Sequence, residues 1–138
     1  MKIRYIAYDG KPVEERLYRA HYSDTGADIR MNKPGSIGPG ETKVIKLGFG
    51  IEMPNGYTGR MQVRTSIARK GIMIQGCAID AGFTGELSMI LHNISDEVFV
   101  WNEGDRLGYI EVYPVVYPDF VESLGKERGD KAFGSTGG

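Results

Sequence analysis

Four short segments hold residues whose types and spacing suit phosphate and nucleotide chemistry. Arg64-Thr65-Ser66 sets a guanidinium and two hydroxyls on consecutive residues after the alternating run Gly59-Arg60-Met61-Gln62-Val63. A guanidinium forks onto paired phosphate oxygens while neighbouring backbone N–H groups cradle the rest, although an exposed basic strand end has the same wording. Asp80-Ala81-Gly82-Phe83 sets a carboxylate three residues before an aromatic ring. An aspartate at a strand end can orient and deprotonate a water, and Phe83 offers a flat wall for a sugar or base; an ordinary hairpin would read alike. Asp28 follows Thr25-Gly26-Ala27 into an apolar stretch. It reads equally as an Asx-turn residue or as an outer-shell acceptor for magnesium, which prefers oxygen ligands and keeps its waters. The terminus Arg128-Gly129-Asp130-Lys131-Ala132-Phe133-Gly134-Ser135-Thr136-Gly137 supplies a charge, two hydroxyls, a stacking face and glycines that allow close backbone approach. Composition alone would make such a Gly-Ser end a disordered tail.

Positioning these groups calls for strands. Twenty glycines and six prolines punctuate the chain, and the segments between them are short and mostly of period two. Ile3, Tyr5 and Ala7 alternate before Asp9-Gly10, and Ala27, Ile29 and Met31 before Pro34-Gly35. Val44-Ile45, Leu47, Phe49 and Ile51 lead to Pro54-Asn55-Gly56, where Asn-Gly favours a tight hairpin turn. Tyr57 to Val63, Ile72 to Gln75, Leu87 to Leu91, Val98 with Val100 and Ile110 with Val112 complete roughly eight to ten strands, spaced as a sandwich, jelly roll or small barrel requires. No helix is placed. From Glu122 onward charge, Gly and Ser dominate, and that end cannot build a core alone.

The 138 residues amount to one domain with one modest core. A net charge of −1 gives no global positive field to collect nucleic acid, so an anionic ligand must be met by locally placed groups. Cys77 is the only cysteine, which rules out an internal disulfide and a multi-cysteine zinc site and suits a reducing compartment. Charges interrupt any signal-peptide core at the N-terminus, and no stretch approaches the roughly 18 apolar residues of a membrane span, so a cytoplasmic protein is expected. Asn93-Ile94-Ser95 matches a glycosylation sequon that carries no weight without a secretory signal. His21 and His92 lie far apart with no Cys or His partner in sequence and read as structural or surface residues.

In this order the segments resemble the five signature motifs of the homotrimeric dUTPase family, with the fourth at Glu103-Gly104-Asp105-Arg106-Leu107-Gly108. The match runs from about Asp24 to Gly137, and the wording is similar to that of Gram-positive phage members. The resemblance implies an all-β, jelly-roll-like distorted barrel over residues 1–121, assembled as a homotrimer. It also implies a flexible C-terminal arm at 122–138 that closes over an active site formed by the other two subunits. The implied activity is hydrolysis of dUTP to dUMP and pyrophosphate with Mg2+. On this carry-over Asp80 activates the attacking water, Phe83 packs under the deoxyribose, and Arg64, Thr65 and Ser66 contact the phosphate chain. Asp28 holds magnesium through waters. Main-chain groups of the 74–78 hairpin read uracil, which brings in Gly76, Cys77, Ala78 and Ile79. Phe133, beside Gly134, stacks on the base, while Arg128, Ser135 and Thr136 bind the distal phosphates.

Several positions depart from the family's wording. Thr65 stands for a usual serine, Ser66 for a common glycine, Cys77 for a glycine of the uracil hairpin, and Tyr109 for the glutamine of motif four. These changes are expected to weaken catalysis or shift pyrimidine choice while sparing the fold. The alternative they open is a weakened dUTPase-fold protein acting through a partner such as a repressor, as some phage dUTPases do. A dCTP deaminase shares part of the wording but needs a glutamate as proton shuttle where this chain has Ile90.

Overall fold

The computed structural model describes residues 1–12, 14, 16–76 and 78–125. Cys77, Arg128, Phe133, Gly134, Ser135 and Thr136 lie outside the described residues. Twelve strands are described: β1 Arg4–Ala7, β2 Leu17–Tyr18, β3 Ala27–Arg30, β4 Gly35–Ile37, β5 Thr42–Lys46, β6 Phe49–Glu52, β7 Tyr57–Val63, β8 Ile72–Gln75, β9 Ala78–Ile79, β10 Ser88–Asn93, β11 Phe99–Trp101 and β12 Arg106–Pro114. The expected all-β class stands, and the short strands match the punctuation by glycine and proline. One helical turn, α1 Thr65–Ala68, was not expected. It lies in the candidate phosphate segment, where four residues are too few for a helical period to show. Ile67 is its buried anchor.

Among the described residues all strand pairings are antiparallel. The largest sheet runs β2-β3-β12-β7-β9, beside a sheet β5-β10-β8 and the pairs β1-β6 and β4-β11. Period-two alternation sorts each strand into two faces. Ile29, Met61, Ile79 and Ile110 of the large sheet point into the same core as Phe49, Met89, Leu91, Ile37 and Trp101. Gly108 is required there, because a Cβ would stand 2.4 Å from Gln62 O.

Two turns differ from the sequence reading. Asn55-Gly56 does not close a hairpin: β6 pairs with β1, and β7 with β12 and β9, so the turn carries the chain between sheets. Gly56 alone takes a positive φ of 87°, where the two-residue hairpin turn suggested by Asn-Gly needs both residues there. Likewise β8 pairs with β10 and β9 with β7, so the stretch between them is a crossing and not a hairpin. Gly76 takes a φ of 58° in that crossing, so the positive backbone angle falls on a glycine.

Among the described residues, buried polar side chains are paired. The Asn93 amide donates to Ile37 O at 3.0 Å and Glu97 O at 2.7 Å, and its carbonyl oxygen accepts from Ser95. That side chain is fully buried, which closes the sequon to a glycan. Arg16, 4% exposed, pairs with Asp9 and donates to Leu47 O at 2.9 Å.

Candidate functional site

Two groups of side chains stand at opposite ends of β7. At one end Gly76, Ala78, Ile79, Asp80, Phe83 and Ile90 line a cavity of about 290 Å3. Strand β9 pairs with β7 through Gly59↔Ile79, and the Thr58 hydroxyl donates to Ile79 O at 3.0 Å, which sets Asp80 at the strand end level with Thr58. Asp80 is exposed at this mouth and also lines a second cavity with Asn55, Thr58 and Tyr117. Phe83 N–H donates to Asp80 O at 3.2 Å, closing the turn that brings ring and carboxylate to one opening. The Phe83 ring rests against Gly85, where a Cβ would meet Cζ at 2.8 Å. Glu86 lines the same cavity, but its carboxylate accepts from Gly48 N–H at 3.0 Å and so ties the loop to the core.

At the other end Asp28 and Arg64 both contact Arg106, and Thr65 and Ser66 follow Arg64 in the chain. The Arg106 guanidinium donates to Asp28 Oδ2 at 2.9 Å, and Arg64 donates to Arg106 O at 3.0 Å. Thr65 and Ser66 open α1, both exposed. A bulge in β12 between Arg106 and Gly108 permits this, because it turns Arg106 onto the outer face while Leu107 and Gly108 stay buried. Tyr18 sits under both Arg30 and Arg106, 4.7 and 5.2 Å from ring centroid to guanidinium carbon, and faces Asp28 across β2 and β3. Tyr109 faces Asp28 on one side and Gln62 on the other, so Gln62, Tyr109, Asp28 and Tyr18 form one row across four strands. Burial first, then the Glu111 and Asp28 carboxylates, push the Tyr109 phenol up, so it remains a neutral hydroxyl at neutral pH.

The sequence reading named Asp28, Arg64, Thr65, Ser66, Gly76, Ala78, Ile79, Asp80 and Phe83. The fold brings the first four together and the last five together, but one chain keeps the two sets apart. Arg64 lies six residues along the strand from Thr58, roughly 20 Å at a strand's rise per residue. Tyr18 and Glu86 were missed. Tyr18 lies in a two-residue strand and carries no sequence signal, whereas Glu86 stands three residues after Phe83 in the same contiguous segment, where that nearness was the available signal. Among the described residues no group of three His, Cys, Asp or Glu could hold a metal ion. Asp28, half-buried with one oxygen taken by Arg106, suits a cation held through its own waters, as magnesium is, and not a protein-built cage. No described helix is long and apolar enough to cross a membrane.

Residues 15–137 match the family model described as dUTPase. The chain is 32% identical over 99% of its length, and 97% of the relative's, to the deoxyuridine 5'-triphosphate nucleotidohydrolase of Anaeromyxobacter sp. strain Fw109-5. It is 35% identical to the enzyme of that name from Tropheryma whipplei strain Twist, with 86% of each chain covered. The chain therefore belongs to the dUTPase family. Similar solved structures include a point mutant of the Staphylococcus bacteriophage 80alpha dUTPase with dUpNHpp, at TM-score 0.81 and 22% identity over 99% of this chain and 98% of that one. A point mutant of the dUTPase from phage phi11 of S. aureus, solved with a structural Mg(II) ion, also reaches 0.81 at 22% identity, over 92% and 99%. Those two likenesses bear on the fold, and they bear out the jelly-roll-like reading.

Proposed function

We infer that this chain hydrolyses dUTP to dUMP and pyrophosphate by attack of water on the α-phosphorus. The observation that carries it is the cavity where the Asp80 carboxylate and the Phe83 ring share one mouth beside Gly76, Ala78 and Ile79. On this reading Asp80 takes a proton from the water as its oxygen bonds to phosphorus, and the bridging bond to pyrophosphate breaks. Phe83 packs under the deoxyribose, and the backbone around Gly76, Cys77, Ala78 and Ile79 reads the uracil edge. Arg64, Thr65 and Ser66 meet the phosphates, with Arg128, Phe133, Gly134, Ser135 and Thr136 of the arm closing over them. Magnesium, held through waters at Asp28, would neutralise charge spread over the phosphate chain. Ile90 lines the Asp80 cavity and transfers no proton, which argues against deamination.

The proposed homotrimer would complete the split site. With Asp80 and Arg64 roughly 20 Å apart in one chain, a phosphate chain can meet both only if a second copy supplies one of them. Val116, Phe120 and Leu124 support assembly too, because they are 84%, 93% and 105% exposed along a segment without regular structure. The last β12 residue is Pro114, and Tyr117 still accepts from Gly56 N–H at 3.0 Å, so a barrel ending near residue 121 and an arm at 122–138 fit that segment. A phage relative is described as controlling transfer of virulence genes by a G protein-like mechanism. That motivates a second reading in which this chain also binds a repressor-type protein. A cytoplasmic location is part of the proposal.

The test is a pyrophosphate-release panel over dUTP, dCTP, dTTP and UTP, with and without magnesium. Release from dUTP alone, dependent on the metal, is expected. Release favouring another nucleotide, or none from dUTP, overturns the assignment.

A further inference from the structure

The turn that carries Phe83 overhangs the cavity with little holding it. Gly82, at a φ of 86°, and Gly85 leave it little stiffness of its own. Among the described residues, segment 80–85 makes one internal bond, from Phe83 N–H to Asp80 O, and one hydrogen bond to a distant part of the chain. That second bond comes from Tyr8, whose hydroxyl donates to Thr84 O at 2.5 Å across 76 residues.

The contact is close-packed as well as hydrogen-bonded. A Cβ on Gly50 would stand 2.5 Å from Gly85 O and 3.1 Å from Tyr8 Cε2, so loop and phenol ring both close onto the same bare glycine. Tyr8 is itself anchored, because its N–H donates to Gly48 O at 2.8 Å just beyond the β1–β6 ladder. Thr84 is the residue next to Phe83, and the Phe83 ring rests on Gly85. A rigid path therefore runs from β1 through the Tyr8 phenol and the Thr84 carbonyl to the aromatic face at the cavity mouth. Tyr8 lies outside every segment singled out for chemistry, and it is half exposed, so burial does not account for its placement.

We propose that Tyr8 is a positioning residue for Phe83 and, through it, sets discrimination against the 2′-hydroxyl of a ribonucleotide. This rests on the reading of Phe83 as the platform under the deoxyribose. A ring held at a fixed height excludes one extra oxygen, and a ring free to tilt admits it. The Tyr8 hydroxyl is the group that decides between the two, since the turn has no other external bond among the described residues.

The experiment measures kcat and KM for dUTP and UTP with the full-length wild type, Tyr8→Phe and Tyr8→Ala, together with thermal unfolding of each. Tyr8→Phe keeps the ring and removes the bond. Its dUTP-to-UTP ratio of kcat/KM is expected to fall roughly three- to tenfold, on the scale of one hydrogen bond, with the dUTP loss mainly in KM. Tyr8→Ala, which also loses the packing on Gly50, should fall further. A ratio unchanged in both variants overturns the proposal, as does a lower unfolding temperature with the ratio intact, which would make the contact purely structural. A wild type that releases no pyrophosphate from dUTP is a different failure: it removes the proposed function and this role with it.

Discussion

Asp80 and Asp28 are both carboxylates near strand ends, and the fold gives them different surroundings. Asp80 is exposed at a cavity mouth and has no side-chain partner among the described residues, which suits the base role proposed for it. Asp28 is half-buried and held by Arg106, which suits the role proposed for it in ordering water around a cation. Replacing Asp80 with Asn preserves shape and removes the base, so pyrophosphate release should fall to background while equilibrium binding of dUTP persists. Near-normal turnover would remove Asp80 from its role. Asp28→Asn loses the charge that pairs with Arg106 and, on the proposed role, would face the waters of a magnesium ion. The magnesium concentration for half-maximal rate should then rise about tenfold, which a titration of rate against metal would read.

Strands and their connections set what each residue can reach. Gly35 in β4 lies against Trp101 of β11, where a Cβ would stand 2.3 Å from Cζ2. Gly35→Ala should cost about 1–3 kcal/mol by overpacking, read as a lower denaturant midpoint at unchanged slope. The connection after β1 carries Asp9, whose pairing with the buried Arg16 ties that connection to Leu47 and Asn32. Burial alone would raise the Asp9 carboxyl, but hydrogen bonds from Arg16, the Lys11 N–H and Asn32 hold it down at about 2. A depressed carboxylate stabilises in full above its unfolded value near 4, and that contribution is lost as pH falls through the folded value. Asp9→Asn should therefore cost about 3 kcal/mol near neutral pH, where it strands the Arg16 charge. The gap in unfolding temperature between variant and wild type should narrow between pH 4 and pH 2.

At the scale of the whole molecule, the proposed trimer brings the two sets of side chains together between copies. A particle of three chains, each 15.2 kDa, is expected by light scattering, and a monomer with full activity would contradict a shared site. Deleting the residues after Arg128 should remove most activity and leave thermal unfolding nearly unchanged, since that end holds little apolar surface to bury. Loss of the folded state instead would contradict the division into barrel and arm. The family departures gain meaning at this scale. Tyr109 does not replace a side chain in isolation; it sits in a row with Gln62, Asp28 and Tyr18, so its neutral hydroxyl is offered beside Asp28.

Period two in the apolar residues determined the strands, because alternating side chains on a pleated ribbon must part into a wet face and a dry one whatever the partner. Local wording likewise determined which residue types could do the chemistry, since the motifs at Asp28, Arg64, Asp80 and Phe83 are each contiguous. Only the tertiary structure decided that Asn55-Gly56 is a passage between sheets and not a hairpin, because strand pairing is a choice among distant partners that no turn dipeptide encodes. It alone decided that Asp28 meets Arg106 while Asp80 and Arg64 fall at opposite ends of β7, and that Tyr8 reaches across 76 residues to the turn of Phe83. Those relations depend on register between strands far apart in the chain. Spacing along the sequence carries no record of them.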